Sequence, residues 1–328
     1  MSGSLGTLLT VPFERPYLTR ALIELLLLGG AAGVVGVFVL LRRLAFLADA
    51  LTHTVFPGVV IGFLVSGQHG IFPGALAVGC LSAALFTGLA ATRRVAEDAT
   101  LAILLTGFFA VGVVLVSRRS SYTSDLTAFL FGRVLTVDDG DIVTTAVVAG
   151  AVVLLLAALR KELLLVAFDP QAAQAAGYRV IALDLALNLS IALVVVAAVR
   201  AVGTVLVIAL IVVPAAAARL LSDRLLVITV LAALFGMASG WIGLLVSYQV
   251  SVDHGIRLAT GATVVLVLVA GYLLALAATA ARARSRRAAP GALPGSATHP
   301  ALAGEAAGPA APSATDAPAR AAPRGPVR

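Results

Sequence analysis

Lysine, cysteine and tryptophan each occur once in this 328-residue chain, and charged residues make up only 12% of it. Each scarcity excludes something. A lone cysteine, Cys80, rules out an intramolecular disulfide and any thiolate metal cage. In its apolar run it reads as a small buried hydrophobe. The lone lysine, Lys161, stands between Arg160 and Glu162, whereas a phosphate-binding P-loop requires Gly-Lys followed by Ser or Thr. The chain therefore cannot hydrolyse ATP through such a loop. His-Glu-x-x-His, Cys-x-x-Cys and Gly-x-Ser-x-Gly are absent too, and no enzymatic site is predicted.

What is present in excess is apolar. Hydrophobic residues reach 60% and the mean hydropathy is +1.06, whereas soluble domains carry about a quarter charged residues. The composition implies an integral membrane protein, with 31 glycines suited to close helix packing. The net charge of +7 does not indicate nucleic acid. From Arg282 onward seven arginines face two acids, Glu305 and Asp316, and much of the remaining charge flanks apolar runs. That is the pattern of topology signals and anionic lipid headgroups. No basic n-region precedes the first apolar run, so no cleavable signal peptide is expected.

Runs near the ~20 residues of one crossing predict an all-α, polytopic transmembrane bundle of about eight or nine spans. They are placed at about 20–41, 44–66, 71–92, 99–117, 141–159, 181–199, 201–220, 225–246 and 256–280. Arg200 and Gly203 break a stretch too long for one span. The segment 126–136 is short and reads as re-entrant or interfacial. Arginine and lysine clusters at 42–43, 93–94, 160–161, 219–224 and 282–287 then share one face, which the positive-inside rule makes cytoplasmic along with the C-terminus. The expected organisation is a lead segment (1–17), a permease domain (18–281) and a tail (282–328). Beyond Arg287 the tail is Ala/Pro-rich, with eight of the fourteen prolines, and is predicted to be disordered.

Two ionisable residues stand out in the second span. Asp49 and His53 are four apart, so both project from one helix face. Intramembrane charge is costly and marks function by default, and carboxylate with imidazole suits a divalent transition metal. If the span starts near residue 44, Asp49 lies roughly 8 Å deep and His53 roughly 14 Å deep, near the middle of a ~30 Å core. Pro57 deprives the His53 carbonyl of its helical partner and favours a kink. Gly58 and Gly62 allow a neighbouring backbone to approach. The bland alternative is an Asp–His hydrogen bond that locks packing. Pro214 similarly frees the Leu210 carbonyl. Glu24 and Asp184 are expected to reach the membrane interface from the ends of their helices.

A short helix is predicted over 171–176 on the basic face. Asp169 suits its N-cap, Pro170 its first position and Gly177 its stop. It reads as a lever for a partner or as a connector lying on the membrane.

The pieces RRLAFLADALTHTVFPG, EDATLAILLTGFFAVGVVL, DLTAFLFGRVL, FDPQAAQAAG and VGTVLVIALIVVPAAAARLL occur in that order. With them the chain, over most of 18–280, resembles the permease subunits of ABC-type zinc, manganese and iron uptake systems, the ABC-3 group. The resemblance implies that Asp49 and His53 bind the transported metal, with Pro57 and Pro214 shaping the path. FDPQAAQAAG, with Asp169, Pro170, Gln171, Ala172 and Gly177, would be the coupling helix seated in an ATPase. It further implies a permease pair, an ABC ATPase subunit, an extracellular metal-binding protein and a bacterial cytoplasmic membrane. Zinc, manganese or iron would be cargo, with no permanently bound cofactor. Arg133 and the Asp253-His254-Gly255 turn depart from the family pattern. A proton-coupled secondary metal transporter and an ABC permease for a metal chelate are the alternatives.

Overall fold

The computed structural model describes residues 15–92, 95–117, 132, 134–254 and 258–288. Arg93, Arg94, Arg118, Arg119, Arg133 and Arg257, most of the 126–136 segment, residues 1–14 of the lead and the tail beyond 288 lie outside the described residues. Residues 1–285 form one compact unit and 286–328 a second, of which only 286–288 are described.

Among the described residues every regular element is helical. α1 (Pro16–Leu41) starts with proline at its first position, where no amide bond is lost. α2 (Ala45–Thr54) and α3 (Phe56–Ser66) follow, then a 3₁₀ turn (Gly67–Gly70), α4 (Ile71–Ala91) and α5 (Glu97–Ser117). A second 3₁₀ turn (Val134–Thr136) leads to α6 (Asp139–Ala158), whose N-terminus is closed by a reciprocal Asp138–Asp141 capping box. α7 (Arg160–Phe168) and α8 (Pro170–Ala175) are short. α9 (Val180–Val202), α10 (Thr204–Leu221), α11 (Leu225–His254) and α12 (Thr260–Ala288) complete the chain.

Among the described residues, eight helical stretches are long and apolar enough to cross a membrane. One of them, Ala45–Ala91, contains 47 residues; as a straight helix it would run about 70 Å, over twice a ~30 Å core. It folds back instead. Gly67 takes φ +60° at the reversal, and Gly58 faces Gly74 while Gly62 faces Gly70 so closely that a Cβ on Gly62 would lie 2.0 Å from the Gly70 carbonyl oxygen. The stretch is thus an antiparallel hairpin whose arms, 45–66 and 71–91, match two separately predicted segments.

The predicted bend is a break at Val55, two residues before Pro57, so 44–66 is two helices rather than one. The predicted break at 200–203 is the sharp turn between α9 and α10, where Gly203 adopts φ +79°. Predicted span ends fall short at the last two helices, which run on to His254 and Ala288.

α1 and α9 form the centre. α1 packs against α6, α10 and α11, and α9 against α4, α6 and α2. Both are apolar around most of their circumference, as a surrounded helix must be; Leu25, Leu28, Leu187 and Ile191 are at most 1% exposed. Polar links are few: Asn188 Nδ2 donates to Thr87 Oγ1 at 2.9 Å, and Ser247 and Thr260 hydroxyls lie 3.1 Å apart. Ion pairs fasten the two ends. Arg42–Asp184 (2.5 Å) joins α1 to α9 at one end, while Arg20–Asp139 (2.7 Å) and Arg200–Asp141 (2.5 Å) gather α1, α6 and α9 at the other. Asp184, part-exposed at that end of the bundle, pairs there with the Arg42 guanidinium.

Candidate functional site

α2, the ten-residue helix carrying Asp49 and His53, packs against α4, α5, α9 and α10. Its apolar face, Leu47, Ala48, Ala50 and Leu51, is buried against the core. Burial of that face leaves Asp49 and His53 on the other, with side chains 37% and 32% exposed. The His53 Nε2 and Asp49 Oδ1 atoms are 3.9 Å apart, too far for a hydrogen bond. The two are not locked to each other, which disfavours the packing-bond alternative. A metal ion about 2.1 Å from each ligand spans at most ~4.2 Å, so one ion fits between these two atoms. Among the described residues no third His, Cys, Asp or Glu completes a metal cluster; remaining ligands would be water or groups from another chain.

An aromatic pair stands beside His53. Phe109 of α5 meets the imidazole edge-to-face at 6.0 Å between ring centroids and lies 5.7 Å from the Phe56 ring. The sequence reading passed over Phe109 because one phenylalanine in an apolar helix carries no distinguishing signal.

A cavity of about 980 Å³ opens at the end of the bundle opposite α7 and α8. Gln68 and His69 lie along its wall with Asp138, Asp141 and Arg200, and Val55 and Phe56 are also in its lining. It therefore extends to within two residues of His53. Glu24, expected at the interface, is instead 0% exposed in this wall, its Oε1 accepting from Thr145 Oγ1 at 2.7 Å. Its partner is 121 residues away, out of reach of local sequence patterns.

The remaining predicted residues sit apart from the pair. Pro57 is buried in the first turn of α3. Pro214 is buried inside α10, a neighbour of α2, and does not end its helix. At the far end, Asp169 Oδ1 accepts from the backbone amides of Gln171 (3.0 Å) and Ala172 (2.9 Å), capping α8. Gly177 stops it with φ +85°. The capped helix occupies 170–175, one residue earlier than predicted. Ala173 is buried, whereas Gln171, Ala172 and Gln174 are exposed. Of the Asp253–Gly255 turn, Asp253 ends exposed on α11 and Gly255 lies outside the described residues.

A helical bundle with eight apolar stretches long enough to cross a membrane among the described residues is the architecture of a multi-pass membrane protein. The sequence matches the ABC 3 transport family over residues 14–279, and the chain belongs to that family. It is an ABC permease subunit and is not itself catalytic. It is 40% identical over 261 residues to the manganese transport system membrane protein MntC of Halalkalibacterium halodurans, covering 80% of this chain and 86% of the relative. Similarity to the manganese import system permease protein ScaB of Streptococcus gordonii is 33% over 239 residues, 73% of this chain and 85% of the other. Among solved structures, PsaBC from Streptococcus pneumoniae in complex with Fab superposes with a TM-score of 0.71 at 30% identity, covering 83% of this chain and 95% of that one.

Proposed function

We propose that this chain forms the translocation path of a manganese(II) importer in a bacterial cytoplasmic membrane, with Asp49 and His53 binding the ion in transit. The observation that carries the reading is the unbonded pair at 3.9 Å, partly exposed on α2 and just beyond the end of the cavity. Its mixed oxygen and nitrogen donors suit manganese, and also zinc and iron; the names of the relatives favour manganese. Two ligands hold an ion weakly, which suits a site that must release its cargo. The break at Val55–Pro57 keeps the pair at a helix end, and Pro214 shapes the neighbouring helix α10.

In this reading the permease acts as a pair of copies, each engaging an ABC ATPase subunit through α8, and an extracellular binding protein delivers the ion. Asp169, Pro170, Gln171, Ala172 and Gly177 build the docking helix. The cavity faces outward and the C-terminus lies in the cytoplasm. Residues 18–281 are the permease domain, 1–17 a lead and 282–328 a tail.

Reconstitution with the candidate ATPase and binding protein, followed by uptake of labelled manganese and zinc, tests this. Uptake is expected to require ATP, to favour manganese, and to fall at least tenfold in Asp49→Ala and His53→Ala; outer-shell changes alone cost about 10–100-fold in metal affinity. Undiminished uptake in both variants would reject the pair as the site. Uptake driven by a pH gradient without ATP would favour a secondary transporter.

A further inference from the structure

Glu24 is a buried carboxylate with half of its hydrogen-bonding capacity unused. Its Oε1 accepts from Thr145 Oγ1 at 2.7 Å, while its Oε2 is buried and has no hydrogen-bond partner among the described residues. An orphaned carboxylate oxygen in an apolar bundle is costly, so among the described residues Oε2 stands ready for a further partner. Glu24 is 0% exposed, yet it borders the cavity of about 980 Å³ rather than packed apolar side chains. Thr145 lies one helical turn beyond Asp141 on α6, so the hydroxyl that holds Glu24 and the Asp141 carboxylate share one helix face. Asp141, Thr144 and Thr145 line the same cavity, with Arg200 placed 2.5 Å from Asp141.

We propose that Glu24 and Asp141 form an outer binding stop for the divalent cation, ahead of Asp49 and His53. This rests on the transport reading above. Two carboxylates against one guanidinium leave a net negative charge, which draws a cation into the cavity. Arg200 neutralises Asp141 when the stop is empty and competes for it when a cation arrives, which keeps the stop weak enough to empty. Its donors are all oxygen. Carboxylates, hydroxyls and retained water suit hard cations such as manganese(II), whereas zinc gains more from an imidazole or thiolate. The outer stop thus selects on hardness before the ion meets the nitrogen donor of His53. The cavity reaches Val55 and Phe56, so an ion leaving Glu24 is delivered close to the pair.

Manganese(II) titration of the full chain in lipid nanodiscs, read by electron paramagnetic resonance, tests the stop separately from the pair. In the Asp49→Ala/His53→Ala double variant, one manganese per chain is expected to remain, without nitrogen coupling. Adding Glu24→Gln should weaken that binding at least roughly tenfold, the scale already seen for outer-shell changes. Glutamine keeps the length and the acceptor for Thr145, so a purely structural role would leave binding unmoved. Absence of residual manganese in the double variant, or residual binding indifferent to Glu24→Gln, would overturn the proposal. His69 also lies in the cavity wall, so it is nitrogen coupling present in the parent chain and lost in the Asp49→Ala/His53→Ala variant that reports on the pair, and its absence would sink the pair without touching the outer stop.

Discussion

Arg42 and Asp184 show how a single residue's environment decides its worth in this bundle. Their side chains are 20% and 27% exposed, their contact is 2.5 Å, and the second guanidinium nitrogen, Nη1, is buried without a partner among the described residues. Removing one member of such a pair leaves a charge in a poorly solvated place, which costs more than the pair's net value. Arg42→Met is expected to destabilise the permease by about 1–3 kcal/mol, seen as a lower midpoint of thermal unfolding in detergent. Adding Asp184→Leu should restore most of the loss. An Arg42→Met single variant as stable as the parent would show the pair to be idle. Asp49 and His53 stand out as candidates in the sequence because charge inside the apolar run 44–65 has few bland explanations. Glu24 and Asp184 do not. Each sits near a helix end, where sequence position predicts solvent, and their distant partners (Thr145 for the buried Glu24, Arg42 for the part-exposed Asp184) lie out of reach of local sequence patterns.

At the scale of elements, punctuation was the readable part. Proline at 57 and glycines at 177 and 203 fall where the helices break or stop, because their backbone preferences act locally. The extra length of α11 and α12 was not readable, since hydropathy registers the membrane core and not the helix that continues past it. α8 is the sharpest local case. It has six residues, too few to persist without capping and packing, and one carboxylate oxygen of Asp169 takes up two of its free amides. Asp169→Ala should cost α8 about 1 kcal/mol. Asp169→Asn, also a good cap, should cost little. If α8 transmits ATP hydrolysis, the alanine variant will bind the ATPase more weakly in a pull-down and show lower ATP-driven uptake, and asparagine will rescue both. Equal defects in the two variants would assign Asp169 a charge role instead of a capping one.

Across the whole molecule, ion pairing reshapes the charge balance that sets orientation. From sequence alone Arg20 and Arg200 weigh against the positive-inside assignment, since both lie at the cavity end. The structure pairs them with Asp139 and Asp141, two acids of the same helix start. At the opposite end Arg43, Arg160, Lys161, Arg219 and Arg224 have no carboxylate partner among the described residues. Basic residues near span ends drive topology more than acids oppose it, and among the described residues carboxylates outnumber basic groups at the cavity end while basic groups outnumber carboxylates at the α7–α8 end. The basic end then meets the anionic inner leaflet, each exposed basic group there being worth about 1 kcal/mol. Cys80 is the only cysteine, so Cys80→Ala gives a clean background for site-directed labelling. Gln68→Cys, exposed at the reversal between α3 and α4, should react with a membrane-impermeant maleimide on intact cells. Gln174→Cys, exposed on α8, should react only after the membrane is opened. The reverse pattern would invert the bundle and turn the cavity, and the outer stop within it, toward the cytoplasm.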